Sequence, residues 1–350
     1  MLSAESTNVD DYAHCAAIGA RPIVRAKHTD SVAYVDRPAR AGSSPVAVRS
    51  KGPFDLALSL RAAASFLPTV GEVPVILRTA VQLDGRPTIL EIQQPFGTSS
   101  LVRGSSLPVT GQRRLREMIK WLISADLDLR PFHTLVAPHP IMGPVAAALL
   151  GLKPLRPATL FEMAIIAITE QQLSLAAAFY IRARLVSRFG TRLDGLWTFP
   201  SPERLAAASL RDLGACGLSH RKAEYVKDLA RHVMQGVLDF DALRRRSDQR
   251  IREALLSNRG FGEWSVQYIL GRGYGRPDCL PSGDVGLQRV IARYFGEGRR
   301  LTAAELEQAL SPFKPFRGLA AFYLSAHWRL LRAAGATPIG PHELASMSIA

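Results

Sequence analysis

Beyond Pro154 the chain is an almost unbroken succession of helical segments, and this change of texture constrains its fold more than any other feature. The stretches LFEMAIIAITEQQLSLAAAFYIRARLVSRF, PERLAAASL, RKAEYVKDLARHVMQ, DQRIREALLS, WSVQYILGR, VGLQRVIARYF, AAELEQAL and GLAAFYLSAHWRLLRAA all read as helices. Gly, Pro, Ser and Asp mark their ends. Before Pro154 the pattern differs. FDLALSL, VPVILRTAVQL and TILEIQQ are short β-favouring runs, punctuated by Gly71, Asp84-Gly85 and Pro95-Gly97 as in a meander or hairpins. GQRRLREMIKWLISAD then carries apolar residues at 115, 118, 119, 122 and 123, a helical stripe. Residues 1–50 are small, polar and Pro/Gly-rich without sustained periodicity. The expected fold is an α+β domain followed by an all-α domain. The expected boundaries are a flexible tail at 1–50, the α+β domain at 51–153, the helical domain at 154–337 and a tail at 338–350. A length of 350 residues accommodates two compact domains of about 150 residues and a tail.

A hydrophobic fraction of 47% with 21% charged residues is enough to build a sizeable core. Lys and Arg number 44 against 30 Asp and Glu, a net charge of +14. Such an excess favours a polyanionic partner, because each phosphate neutralised releases condensed counterions; charge alone also fits basic solubility or an acidic membrane surface. Cys15, Cys216 and Cys279 are widely separated and form no CxxC, which argues against a disulfide scaffold and against a structural zinc or iron–sulfur site. The start, MLSAESTNVDDYAHC, has acids where a signal peptide needs a basic flank and an apolar run. Pro140 to Leu152, the most apolar stretch, is short and interrupted by Gly143, Pro144 and Gly151, so it cannot span a bilayer. The expectation is a soluble cytoplasmic protein without a membrane partner.

Within the helical half, two local patterns carry chemistry. In LLSNRGFGEWSV one amphipathic helix ends, Gly260-Phe261-Gly262 turns the chain, and a second helix begins. Glycines at 260 and 262 let the backbone approach a ligand closely, leaving the first amides of the next helix free for a phosphate. A helix–helix turn with a C-cap glycine explains the same residues. Twenty residues past Trp264 lies Asp284, in PSGDVGLQR, at the N-cap position of the next helix. A cap needs no catalytic explanation. The two readings are compatible, since backbone amides at a helix mouth keep a carboxylate ionised at neutral pH.

NRGFGEWSVQYIL followed at this spacing by LPSGDVGLQR resembles the helix-hairpin-helix, Gly/Pro-rich loop, aspartate signature of the DNA glycosylase superfamily. Within it, the chain looks most like the inducible bacterial alkyladenine glycosylases, the DNA-3-methyladenine glycosylase II type. ITEQQLS and GLSHRKA upstream and FKPFRGLAAFYL downstream extend the likeness, which covers residues 155 to 335. The segment before it is similar to that family's amino-terminal domain in texture more than in motif.

The resemblance implies an enzyme that flips a nucleotide out of damaged double-stranded DNA, acting as a monomer, and hydrolyses its N-glycosidic bond. It assigns the hairpin around Gly260, Gly262 and Trp264 to gripping the strand, and Gln172 to the wedge, where a solvated helix-end glutamine is the alternative. Ser219 would cap the helix of HRKAEYVKDLA, presenting His220, Arg221 and Lys222 to the DNA backbone. Arg244-Arg245-Arg246 reads as a solvated run. Asp284 is the expected stabiliser of an oxocarbenium-like sugar, directly or by orienting water, with Asp278 as fallback. Trp264 stands where strand-nicking relatives carry a Schiff-base lysine. Tryptophan forms no imine, so the expected enzyme is monofunctional and leaves an abasic site. Trp264, Tyr268 and Phe316 would line a pocket whose electron-rich walls stack on a cationic methylated purine, with core packing as the alternative for Trp264 and Tyr268. Such bases are good leaving groups, so no general acid and no cofactor or metal is called for. A non-catalytic helix-hairpin-helix DNA-binding module is the alternative; it predicts a lost aspartate, and Asp284 is present.

Overall fold

The computed structural model describes residues 20–22, 45–63, 76–95, 97–108, 110–296 and 299–334. The first unit is built from β1 (Ala20–Pro22), β2 (Val46–Arg49), α1 (Leu56–Ala63), β3 (Ile76–Leu83), β4 (Arg86–Gln93), β5 (Leu101–Leu107) and α2 (Gln112–Leu122). The strands form one antiparallel sheet in the order β1-β3-β4-β5-β2. Asp84 and Gly85, both at positive φ, make the two-residue turn that pairs Leu83 with Arg86. One face is covered by α2, whose Leu115, Ile119 and Leu122 are buried. Gly104 on β5 makes room for it, because a Cβ there would stand 2.4 Å from Ile119 Cδ1.

Two differences from the sequence expectation are informative. The sheet takes in Ala20–Pro22 and Val46–Arg49, within the stretch expected to be a tail; Val46 and Val48 are buried and their neighbours exposed, the alternation of an edge strand. FDLALSL is the helix α1 and not a strand. Asp55 accepts from the Leu58 amide at 2.8 Å and so starts the helix, which buries Leu56, Ser59 and Leu60 at helical spacing.

The remaining elements are α3 (Arg130–Val136), α4 (Met142–Ala148), α5 (Leu160–Glu170), α6 (Leu175–Phe189), β6 (Arg192–Leu193), β7 (Leu196–Trp197), α7 (Pro202–Ala207), α8 (Leu210–Ala215), α9 (His220–Met234), α10 (Phe240–Leu243), α11 (Asp248–Leu256), α12 (Glu263–Tyr268), α13 (Val285–Phe295), α14 (Ala303–Leu310) and α15 (Arg317–Ala333). Side-chain N-caps start most of them: Thr159, Ser174, Ser201, Ser209, Ser219, Asp239, Ser247, Asp284 and Thr302 each accept a first-turn amide. The small β6–β7 hairpin interrupts the helices. Its Asp194-Gly195 turn, again at positive φ, satisfies the strand twist.

The helices bury two separate cores. The first, over α5 to α12, contains Ile165, Ile168, Leu185, Val226, Leu229, Leu255, Val266 and Ile269. The second joins α3 and α4 to α13, α14 and α15 through Phe132, Met142, Leu152, Ile291, Leu306 and Tyr323, so this packing unit extends across Pro154. The chain passes from one core to the other between Tyr274 and Leu280. It leaves α12 through a wide π-helical turn, Ile269–Gly273.

Lys153 fastens the sheet unit to the helices. It is fully buried, and its ammonium donates to Ser50 Oγ (2.6 Å), to the Lys51 carbonyl (2.8 Å) and to the Leu127 carbonyl, while its amide donates to Ser59 Oγ. Burial pushes the ammonium down to about 8. Replacing Lys153 with Met keeps the bulk and strands these buried acceptors. The variant should lose about 2–3 kcal/mol of stability in equilibrium denaturant unfolding; unchanged stability would show that the ammonium is not the fastening.

Candidate active site

The hairpin between α11 and α12 is fixed from beneath. Buried Asn258 donates to the Ala254 carbonyl at 2.7 Å and meets His232 Nδ1 at 2.7 Å, and Phe261 plunges into the first core. Gly260 has φ +94°, and a Cβ there would fall 2.5 Å from the ring of Tyr225. Glycine is therefore required twice over, for its backbone angle and for the close approach of helix α9. Gly262 is the N-cap of α12 and brings no side chain to the first-turn amides; Gly262 and Glu263 are exposed.

Asp284 is the N-cap of α13. Its Oδ1 accepts from the Leu287 amide at 2.7 Å, and its Oδ2 accepts from Trp264 Nε1 at 2.9 Å. Both oxygens are thus oriented by neutral donors from two helices. Among the described residues no cation pairs with this half-buried carboxylate, and its neighbours Gly283, Val285 and Gly286 are exposed. The carboxylate is held in place by hydrogen bonds alone. Trp264 in turn stacks on Tyr268, with ring centroids 5.0 Å apart and planes inclined by 23°. The Tyr268 phenol lies against the Glu170 carboxylate; burial first, then that negative charge, pushes it far above its ordinary range, so it stays protonated. Glu170 is paired with the buried Arg182 at 2.9 Å, and the Arg182 guanidinium lies 4.5 Å from the centre of the Phe179 ring.

Between α5 and α6 the chain turns at Gln172, which is exposed and holds a left-handed φ of +54°. The next residue, Leu173, is 43% exposed, unusual for a leucine beside a well-packed core. The preceding Gln171 points inward. Its Nε2 donates to the Gly260 carbonyl at 2.6 Å and to the buried Ser265 Oγ at 2.8 Å. Ser219 caps α9 by accepting the Lys222 amide at 3.3 Å. The Lys222 ammonium does not face outward: it donates to the carbonyls of Gln171 (2.6 Å) and Thr169 (3.2 Å), and burial lowers it from its ordinary value.

Phe316 stands at the start of α15 and packs in the second core, edge-on to Phe132 with centroids 5.9 Å apart. The structure links Asp284 to Trp264 by a hydrogen bond and Trp264 to Tyr268 by stacking, and it attaches Phe316 to the opposite core. Asp278, the fallback carboxylate, is occupied elsewhere. It accepts from the amide, Nε and Nη2 of Arg317 at 3.0, 3.0 and 2.6 Å, capping α15. Burial pushes that carboxyl up, and Arg317 outweighs it, holding the group below its ordinary value. Glu170, Gln171 and Arg182 went unnoticed in the sequence. An arginine on a face of α6 otherwise made of Ala178, Ile181 and Leu185 was the available signal.

This arrangement offers an oriented anion beside an aromatic surface, at the seam of two helical cores and next to a glycine hairpin. Residues 165–315 match the HhH-GPD superfamily of base excision DNA repair proteins. The Bacillus subtilis protein YfjP is 37% identical over 163 residues, which make up 46% of this chain and only 55% of that relative. The DNA-3-methyladenine glycosylase of Bacillus subtilis is 30% identical over 233 residues, 65% of this chain and 76% of the relative. The solved 3-methyladenine DNA-glycosylase of Archaeoglobus fulgidus superposes with a TM-score of 0.69 at 22% identity, covering 83% of this chain and all of the other, and so shares the fold. A helix-hairpin-helix at Gly260, an oriented aspartate at the next helix mouth and these relatives agree: the chain belongs to the HhH-GPD superfamily of base excision DNA repair proteins.

Proposed function

We propose that this protein is a monofunctional DNA N-glycosylase that flips alkylated purines of the 3-methyladenine type out of duplex DNA and hydrolyses their N-glycosidic bond, acting as a cytoplasmic monomer. The observation that carries the reading is the Asp284 carboxylate, aligned by the Trp264 indole N–H and uncompensated by any described cation. As the glycosidic bond lengthens, positive charge gathers on the sugar. A fixed anion in a partly dry site stabilises it at little reorganisation cost, and water then attacks to leave an abasic site. The methylated purine is cationic while it is still bonded to the sugar and leaves as a neutral base, its positive charge passing to the sugar. Stacked rings of Trp264 and Tyr268 suit such a base by cation–π attraction. The names of the curated relatives support the same substrate class.

The remaining parts serve base flipping, which a glycosylase needs because the bond is out of reach inside the stack. The uncapped amides beyond Gly262 take the phosphate backbone, and Gln172, pushed outward by its left-handed backbone, fills the vacated space. Ser219 presents the start of α9 to the same strand. Phe316 bounds the pocket from the second core. A net charge of +14 supplies the long-range attraction.

Three outcomes follow. Asp284→Asn should retain DNA binding and lower single-turnover release of methylated purines from alkylated duplex by at least about a hundredfold; equal rates would remove Asp284 from the mechanism. Trp264→Phe keeps an aromatic wall and deletes one charge-assisted hydrogen bond, so the chemical step should slow by roughly tenfold to a hundredfold with little change in affinity. Borohydride added during turnover should trap no covalent protein–DNA adduct, and an adduct would overturn the monofunctional reading. Absence of base release by the unaltered protein across a broad panel of lesions would overturn the function itself.

A further inference from the structure

Three consecutive residues of the α5–α6 junction face three different ways. Glu170 is turned to Tyr268 and Arg182, Gln171 to the hairpin, and Gln172 outward. The loop that carries Gln172 is therefore tied at several points to the elements that grip the strand and stack the base. Gln171 bridges Gly260 and Ser265, one on each side of the hairpin bend, with a single amide nitrogen. Lys222 crosses from the first turn of α9 and donates to the carbonyls of Thr169 and Gln171, just before the outward residue. An exposed helix-start lysine in a protein of this charge would ordinarily face phosphate, and holding it against neutral carbonyls costs hydration. The ammonium is spent on the shape of the loop.

We propose that Lys222 and Gln171 are positioning residues that couple the wedge loop to the hairpin, so that gripping the DNA backbone and inserting Gln172 are one concerted event. This rests on the proposed role of Gln172 as wedge. A displacement of the hairpin by bound phosphate moves Gly260; the Gln171 amide transmits it to the Gln171 backbone, and the Lys222 ammonium keeps that backbone from slackening. The left-handed turn at Gln172 follows directly, and the exposed Leu173 moves with it. In this arrangement Lys222 acts on DNA through the loop and makes no contact of its own with phosphate.

The test uses the full chain and an alkylated duplex carrying 2-aminopurine beside the lesion, whose fluorescence reports unstacking. Base release by the unaltered protein checks the underlying reading separately. Lys222→Met is expected to lose most of the fluorescence change and to slow single-turnover release by about a hundredfold, a cost typical of slight misplacement of reacting groups. Its affinity for undamaged duplex should stay within about twofold, and the slope of log Kd against log salt should be unaltered. Lys222→Arg, which can reach both carbonyls, should restore the flipping signal. Gln171→Leu should reproduce the Met variant's defect, and it answers the question should Lys222→Met fail to fold. A salt slope reduced by about 0.9 in Lys222→Met would make Lys222 a phosphate contact and overturn the proposal. Flipping at the unaltered rate in Gln171→Leu would overturn it equally.

Discussion

The indole N–H of Trp264 on Asp284 Oδ2 is the interaction on which the site depends. Trp264 is rooted in the first helical core and Asp284 begins a helix of the second. One hydrogen bond therefore spans the seam at the point where the chemistry would occur, and it fixes the carboxylate relative to the aromatic surface. The second oxygen is fixed by the helix that Asp284 caps. A carboxylate tethered at only one oxygen could rotate; with both engaged its orientation is fixed, the preorganisation that the proposed chemistry requires.

Around this bond, specific fits hold the elements on either side of the seam. The passage from Tyr274 to Leu280 is pinned where Arg317 grips Asp278, so the aspartate that was the fallback carboxylate sets the position of α15 and hence of Phe316. The hairpin is pinned from the other side by Tyr225 against Gly260 and by Phe261 in the core. Both sides of the seam are thus held by contacts that tolerate little change, consistent with a site whose parts come from distant positions in the chain.

How much of this was legible in the sequence depended on the range of the interaction. The cap at Asp284 and the turn at Gly260 are local, and their residue types announce them. Their spacing carried the family resemblance. The α+β and all-α halves were legible from periodicity, and the exceptions are local rules in competition: FDLALSL alternates like a strand, yet Asp55 caps it into a helix, and the Asp194-Gly195 turn builds a hairpin too short for alternation to register. What sequence reasoning did not reach is pairing across the fold. Nothing in the order of residues says that Glu170 meets Arg182 and Tyr268, or that Lys222 turns away from solvent toward the Gln171 carbonyl. Those choices are made by the packing of α5 against α6, α9 and α12.

The neutrality of the donor at position 264 has a consequence for how such a site can diverge. An ammonium placed 2.9 Å from Oδ2 would form an ion pair, cancelling the field that the indole leaves intact and drawing the lysine toward a charged, unreactive state. Exchange of the tryptophan for a lysine would therefore change the electrostatic environment of the carboxylate as well as the aromatic surface beside it.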